Sequence, residues 1–202
     1  MTTLEAIRTR RSTRKFKSYP IEQEKLETII EAGRYAPSGG NSQACHFIVV
    51  RNKEVLAKLA ELAQSAFAKM ELTEGMYKSI ANSIRASQKG NYVFHYDPDT
   101  LIIVANQKDY SNNIADTACA LENMMIAANE LDLGSVWINQ LKWLNENEAL
   151  LEYERTLGLE ENERIYGALA VGYADTEDGL PDRTPLPRNG NEVTYIYYNT
   201  EG

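Results

Sequence analysis

The stretch from Asp116 to Leu141, DTACALENMMIAANELDLGSVWINQL, decides the fold. Its first half is rich in Ala, Met and Leu and carries few charges. That is the composition of a helix buried on most of its sides, and extending it back to its start predicts a helix over about 113–131. Gly134 ends that helix, and Ser135–Asn139 reads as a short strand. Going towards the N-terminus, an apolar strand is expected over 101–105 after Pro98, and a buried strand over 46–51. An amphipathic helix over 54–69 separates them, followed by a segment that is helical at first and ends in Gly90-Asn-Tyr-Val-Phe-His95. A helix over 21–36 has Leu26, Ile29 and Ile30 inward and Glu22, Glu24, Glu27 and Glu31 outward. Ala36-Pro-Ser-Gly-Gly-Asn41 stops it, since Pro37 blocks continuation and the glycines permit tight backbone. The first helix, over 3–10, opens on a Thr2/Glu5 capping box.

Going towards the C-terminus, a helix is expected over 145–156 and a strand over 165–173, where Gly167 and Gly172 allow close backbone approach. Strands separated by helices predict a layered α/β or α+β domain. The tail differs in kind. Pro181, Pro185 and Pro187 keep it extended, and EVTYIYY at 192–198 reads as a strand. Such a strand needs a sheet edge, on its own chain or as an arm across a partner subunit. The expected organisation is therefore one domain over 1–174 with a strap and strand over 175–202.

Composition bounds the function. The chain has 202 residues, 43% of them hydrophobic and 25% charged, enough for a sizeable single core. Twenty-nine acids against 21 bases argue against general nucleic-acid binding and against docking on anionic membranes. No apolar run is long enough to span a bilayer. Two well-separated cysteines and two histidines offer neither a disulfide framework nor a metal-ligand pattern. A cytoplasmic, reduced setting is the expectation. Against this acidic background, Arg8, Arg10, Arg11, Arg14, Lys15 and Lys17 form one basic run without an acid. A concentrated positive patch of this size suits a small anion, although a solvated helix end would also produce it.

No GxSxG, HExxH, Walker or GxGxxG signature is present, so the usual hydrolase, metalloprotease and nucleotide-loop readings lack local support. Cys45 beside His46 adjoins an apolar strand, where packing is the simpler role. RRSTRKF at 10–16 combines guanidinium forks with a hydroxyl, a mixture that suits a phosphate monoester. PSGGNSQ at 37–43 offers bare amides and carboxamides that could rest against a flat heteroaromatic ring. Together they suggest a phosphorylated aromatic cofactor.

RRSTRKF at 10–16, APSGGNSQ at 36–43 followed by HFIVV, GNYVF at 90–94, the 116–135 helix and VWINQL at 136–141 follow one another in an order that resembles the FMN-dependent nitroreductase superfamily. The resemblance covers nearly the whole chain. It implies an α+β, three-layer domain with a central, mainly antiparallel sheet flanked by helices. It also implies an intertwined homodimer with FMN at the interface and a C-terminal extension crossing to the partner subunit. By motif, Arg10, Arg11, Ser12 and Arg14 would hold the phosphate, ribityl chain or pyrimidine edge. Pro37, Ser38, Gly39, Asn41 and Gln43 would come to the same flavin from the other subunit. His95 falls where the family often places a residue near the pyrimidine carbonyls. Trp137, Ile138, Asn139 and Gln140 match the stretch facing flavin N5 and O4, where backbone amides matter most. The Asn-Gln pair departs from the commoner Glu-Gly or Gly-Gly. A basic tail residue for the phosphate corresponds to Arg183 or Arg188, with Arg188 the first choice.

The implied chemistry needs no catalytic side chain and no metal. NADH or NADPH reduces FMN at N5, leaves, and a nitroaromatic, quinone or similar small acceptor takes two electrons from the same cleft. Alternatives on the same fold are dehalogenation, dehydrogenation or flavin reduction, and a non-catalytic flavin store. A cofactor-free acidic interaction protein is the alternative from another class. A lid over 66–90, with Lys69, Met70, Met76 and Tyr77, would carry substrate contacts.

Overall fold

The computed structural model describes residues 1–197. Four strands form one antiparallel sheet: β1 (His46–Val50), β2 (Thr100–Gln107), β3 (Gly134–Ile138) and β4 (Glu163–Gly172), in the order β1-β2-β4-β3. β2 lies inside the sheet, and its seven residues Thr100–Asn106 are all buried. Leu101, Ile103 and Ala105 belong to one hydrophobic core, while Ile102 and Val104 belong to the other. Covering both faces is why this strand reads as a continuous apolar run rather than as an alternation. β4 repeats the arrangement, with a bulge opposite Val104 and Ala105 that keeps the two faces in phase.

One face is covered by α1 (Thr3–Thr9), α2 (Gln23–Arg34) and α5 (Asn113–Glu130). α5 is the buried helix expected from its composition, with Leu121, Met124, Met125 and Ala128 inside the core. Burying each Leu or Met side chain stabilises the layer by about 1.5–3 kcal/mol. Gly33 of α2 faces it, and a Cβ there would come within 2.9 Å of Met124. The other face is covered by α3 (Lys53–Ala68), α4 (Lys78–Gln88), α6 (Gln140–Trp143) and α7 (Glu148–Thr156). The three layers are α+β, as the resemblance implies.

Several ends differ from the sequence expectation, each for a local reason. The Thr2/Glu5 capping box forms as expected. The 21–36 helix begins later, because Ile21 is buried and its N–H donates to the Asp99 carboxylate. The helix expected over 145–156 begins later, at Glu148. Asn145 spends its side chain on both backbone groups of Ile165, at 2.8 and 3.0 Å, and Asn147 caps α7 instead.

Between α1 and α2 the chain runs along the sheet. Thr13 N–H donates to Ser135 O and Lys17 N–H to Tyr173 O, both at 2.9 Å. Ser12 pairs with Ser135 as a parallel bridge, so the outer edge of β3 is partly taken. The strand expected over 192–198 does not form over 192–197; Tyr198 lies outside the described residues. Val193, Tyr195, Ile196 and Tyr197 are exposed, with the two tyrosine rings stacked on each other at 5.9 Å. A lone extended segment without a sheet edge has no ladder to join. Among the described residues no helix is long and apolar enough to cross a membrane.

Candidate functional site

The C-terminal end of β3 runs straight into α6, and this junction builds one wall of a cavity of about 320 Å³. Val136, Trp137, Ile138, Asn139 and Gln140 line that wall. Arg14 faces it from the segment beside β3, and Tyr92 and Tyr96 close another side. α4 contributes Ser79, Asn82, Ser83 and Ala86, and Trp143 completes the lining. The 66–90 segment thus does border the cavity, through the polar face of α4. Of the four residues expected to carry its contacts, Tyr77 packs edge-on against Trp143, with ring centroids 6.1 Å apart.

The basic segment arrives with unused donors. Arg10 Nε is buried without a hydrogen-bond partner among the described residues, its nearest carboxylate being Glu122 at 3.8 Å. Arg14 is exposed, stands 6.0 Å from the Tyr96 ring centroid, and forms no ion pair among the described residues. Ser12 is exposed and its hydroxyl makes no hydrogen bond there either. Arg11 behaves differently: its Nη1 donates to Thr184 O at 2.9 Å and pairs with Asp182 at 3.0 Å. The backbone N–H of Thr184 holds the Asp182 carboxyl below its usual range. Arg11 therefore ties the start of the tail to the basic segment.

The two tail arginines separate clearly. Arg183 reaches α5, donating to the backbone oxygen and the side-chain oxygen of Asn129 and pairing with Asp132 at 2.6 Å. Its guanidinium is occupied in holding the tail. Arg188 touches only Leu186 O at 3.4 Å and meets no carboxylate among the described residues.

The 37–43 loop sits apart. Pro37, Ser38 and Gln43 line a different cavity of about 150 Å³ with Arg34, Cys45, Phe47 and Asp116, and none of these residues reaches the first. A single chain does not bring the two motif groups together. The loop is held by buried Asp116 of α5, whose carboxylate accepts from Gly39 N–H at 3.1 Å and Ser42 Oγ at 3.4 Å. Tyr110 donates to Gly39 O, and Ser38 Oγ accepts from Gln43 N–H. Asn41 and Gln43 adopt left-handed backbone, at φ 55° and 51°, which Asn tolerates better than most residues.

His95 lies outside the first cavity. It is 1% exposed, with Nε2 3.0 Å from Leu56 O and Nδ1 accepting from Asp97 N–H at 3.1 Å. Burial pushes its pKa down, and it lines a separate groove along α3. Cys45 and His46 do not form a dyad: burial pushes the thiol up, and His46 Nδ1 pairs with Glu163 at 2.9 Å. Sequence reasoning missed Tyr92, Tyr96 and Trp143, and within the expected 66–90 lid it did not single out Ser79, Asn82, Ser83 or Ala86 of α4. Tyr92 was within reach, since it stands inside the GNYVF motif; isolated Ser and Asn residues on a helix carry no such signal.

The model of the nitroreductase family matches residues 7–173. The chain belongs to that family. A relative in Archaeoglobus fulgidus, provisionally named an NADH dehydrogenase/NAD(P)H nitroreductase, is 32% identical over 86% of each chain. An NADPH-flavin oxidoreductase of Vibrio harveyi is 26% identical over 98% of this chain and 77% of its own. Among solved structures, a nitroreductase with bound FMN from Bacteroides fragilis is 34% identical, with a TM-score of 0.84 over 98% of this chain and 100% of that one.

Proposed function

We propose that this protein is an FMN-dependent NAD(P)H oxidoreductase that reduces nitroaromatics, quinones or similar small acceptors. The observation that carries the reading is the set of unspent donors on the basic segment, whose Arg14 lines the same cavity as the 136–140 wall. Among the described residues Arg10 Nε is buried without a hydrogen-bond partner, and the side chains of Ser12 and Arg14 make no hydrogen bond. Guanidinium forks and a hydroxyl on one segment suit a phosphate monoester, which makes charge-assisted, bidentate contacts with them. The donor set therefore fits FMN. Arg10, Ser12 and the tail's Arg188 would hold its phosphate. Arg14 would set a positive charge near the ring, and the backbone at Asn139–Gln140 would face its edge. When bound, FMN supplies two-electron redox chemistry between NADH or NADPH and the acceptor. The side chains bind, orient and provide positive potential.

The separate 37–43 loop supports a homodimer in which that loop completes the partner's site and the 175–202 strap crosses over. The loop is already shaped by Asp116 and Tyr110 within its own chain, as a surface prepared for a partner would be.

The test is the double variant Arg10→Ala, Arg14→Ala. Each charged hydrogen bond contributes about 1.5–3 kcal/mol, so FMN affinity should fall about a hundredfold or more while circular dichroism stays that of the parent. A variant that purifies with the parent's flavin absorption overturns the assignment. In the parent, anaerobic NAD(P)H should bleach the flavin, and a quinone should restore it. Bound flavin that fails to bleach would make the protein a flavin store.

A further inference from the structure

Among the described residues, Tyr92 alone lines both the 320 Å³ cavity and the groove along α3. Its phenol stands between two elements that do not otherwise share a hydrogen bond among the described residues. From one side Gln140 Nε2 donates to Tyr92 Oη at 2.8 Å. On the other, Ser83 Oγ of α4 lies 2.8 Å from the same oxygen. Ser83 Oγ is also 3.1 Å from Ser79 O, which accepts and has no proton to give. The chain of donors therefore has one direction in which every contact is satisfied. Gln140 donates to Tyr92, Tyr92 to Ser83, and Ser83 to the α4 carbonyl. Burial pushes the Tyr92 phenol up, so it keeps the proton this direction requires. Beyond Gln140 the chain continues: Gln140 Oε1 accepts from Asn139 N–H at 3.1 Å, and Asn139 Oδ1 accepts from Trp137 Nε1 at 3.0 Å.

We propose that Tyr92 is a positioning residue for the cofactor wall: its phenol ties the Asn139–Gln140 turn to α4 and holds the Gln140 carboxamide folded back on the Asn139 amide. Without that hold, the carboxamide is free to swing into the cavity and compete for the space the ring would occupy. Tyr92 touches no reacting group in this scheme and acts through Gln140. The rest of its side chain is fixed independently. Its ring packs edge-on against Phe67 at 6.2 Å, and its N–H donates to Gln64 Oε1 at 2.7 Å. Removing the hydroxyl alone should therefore leave ring packing and fold in place. The link to cofactor binding rests on the FMN reading above, whereas the link between α4 and the turn does not.

The experiment uses the full chain with Tyr92→Phe, Gln140→Leu and the pair combined, and it has two arms. Amide hydrogen exchange at Asn139 and Gln140, measured without added FMN, should speed up about threefold to tenfold in either single variant, the range that losing one ordinary hydrogen bond produces. The double variant should exchange no faster than the worse single, because both changes cut the same link. FMN affinity, read by fluorescence titration, should fall by a similar factor, with a shifted visible spectrum of the bound flavin. Parental exchange in Tyr92→Phe, or additive effects in the pair, overturns the proposal whatever the flavin does. Faster exchange with parental FMN affinity and spectrum also overturns the positioning role. A parent that binds no FMN at all sinks the cofactor reading instead, and the exchange arm still decides whether Tyr92 holds the turn.

Discussion

The basic segment 10–14 and the loop 37–43 are both short, polar and joined directly to a helix end, yet their donors have opposite fates. In the loop, Gly39 N–H, Ser42 Oγ and Gln43 N–H are all satisfied within the chain, by Asp116, Tyr110 and Ser38. In the basic segment Thr13 N–H is satisfied by Ser135, but among the described residues the side chains of Ser12 and Arg14 and the Nε of Arg10 make no hydrogen bond. Ser12 and Arg14 are exposed and solvated, but a buried donor left unpaired costs stability, so the fold keeps Arg10 Nε that way only where something else contributes the missing contact. The loop's backbone is held within its own chain, whereas the basic segment keeps a buried Arg10 Nε to which the described residues supply no hydrogen bond. Arg183 and Arg188 repeat the contrast within the tail, one tied to α5 and the other free.

The strongest way to break this contrast is Asp116→Ala. It removes the buried carboxylate that holds the loop and should cost about 1.5–3 kcal/mol, read as a fall in the denaturant midpoint. The 320 Å³ cavity has no contact with Asp116, so flavin binding should fall only if the loop completes a partner's site. A variant with parental stability would show that the loop is not held this way. Next comes Gly134→Ala. Its Cβ would meet three Thr13 side-chain atoms at 2.6–2.7 Å, pushing the basic segment off β3. Overpacking of this kind costs about 1–3 kcal/mol, and here the loss of stability should be accompanied by weaker FMN binding. Parental affinity in that variant would mean that the register of 12–13 on β3 does not place the arginines.

The smallest effect separates the fold's own pH dependence from that of the site. Glu154 is buried in α7, on the layer away from α5, and burial pushes its pKa up to about 8, partly offset by Arg164. The folded state therefore keeps a proton that the unfolded chain gives up. Below about pH 4.5 this difference vanishes; between there and about pH 8 the unfolded state gains and stability falls as pH rises. Glu154→Gln should flatten that slope and raise the Tm measured at pH 8. A slope unchanged in a pH series of thermal melts would rule out Glu154 as its source. FMN affinity should be unaffected.

The sequence by itself determined the layers. A helix as apolar as 113–131 and a strand as apolar as 101–105 can be stable only when both sides are covered, and that requirement is local and additive enough to read from composition. It also marked the basic run, because six cations without an acid are visible without coordinates. Only the tertiary structure decided which of those cations are spent. Arg11 and Arg183 have the same chemistry as Arg10, Arg14 and Arg188, and they differ in whether a carboxylate or carbonyl from a distant part of the chain comes within hydrogen-bond distance; Arg10 has only Glu122 at 3.8 Å. The same holds for His95, whose Nε2 goes to Leu56 rather than to the cavity, and for Tyr92, whose phenol joins residues 83 and 140. A hydrogen bond depends on position to within a few tenths of an ångström, and partners so far apart in sequence meet at that precision only after the layers have packed.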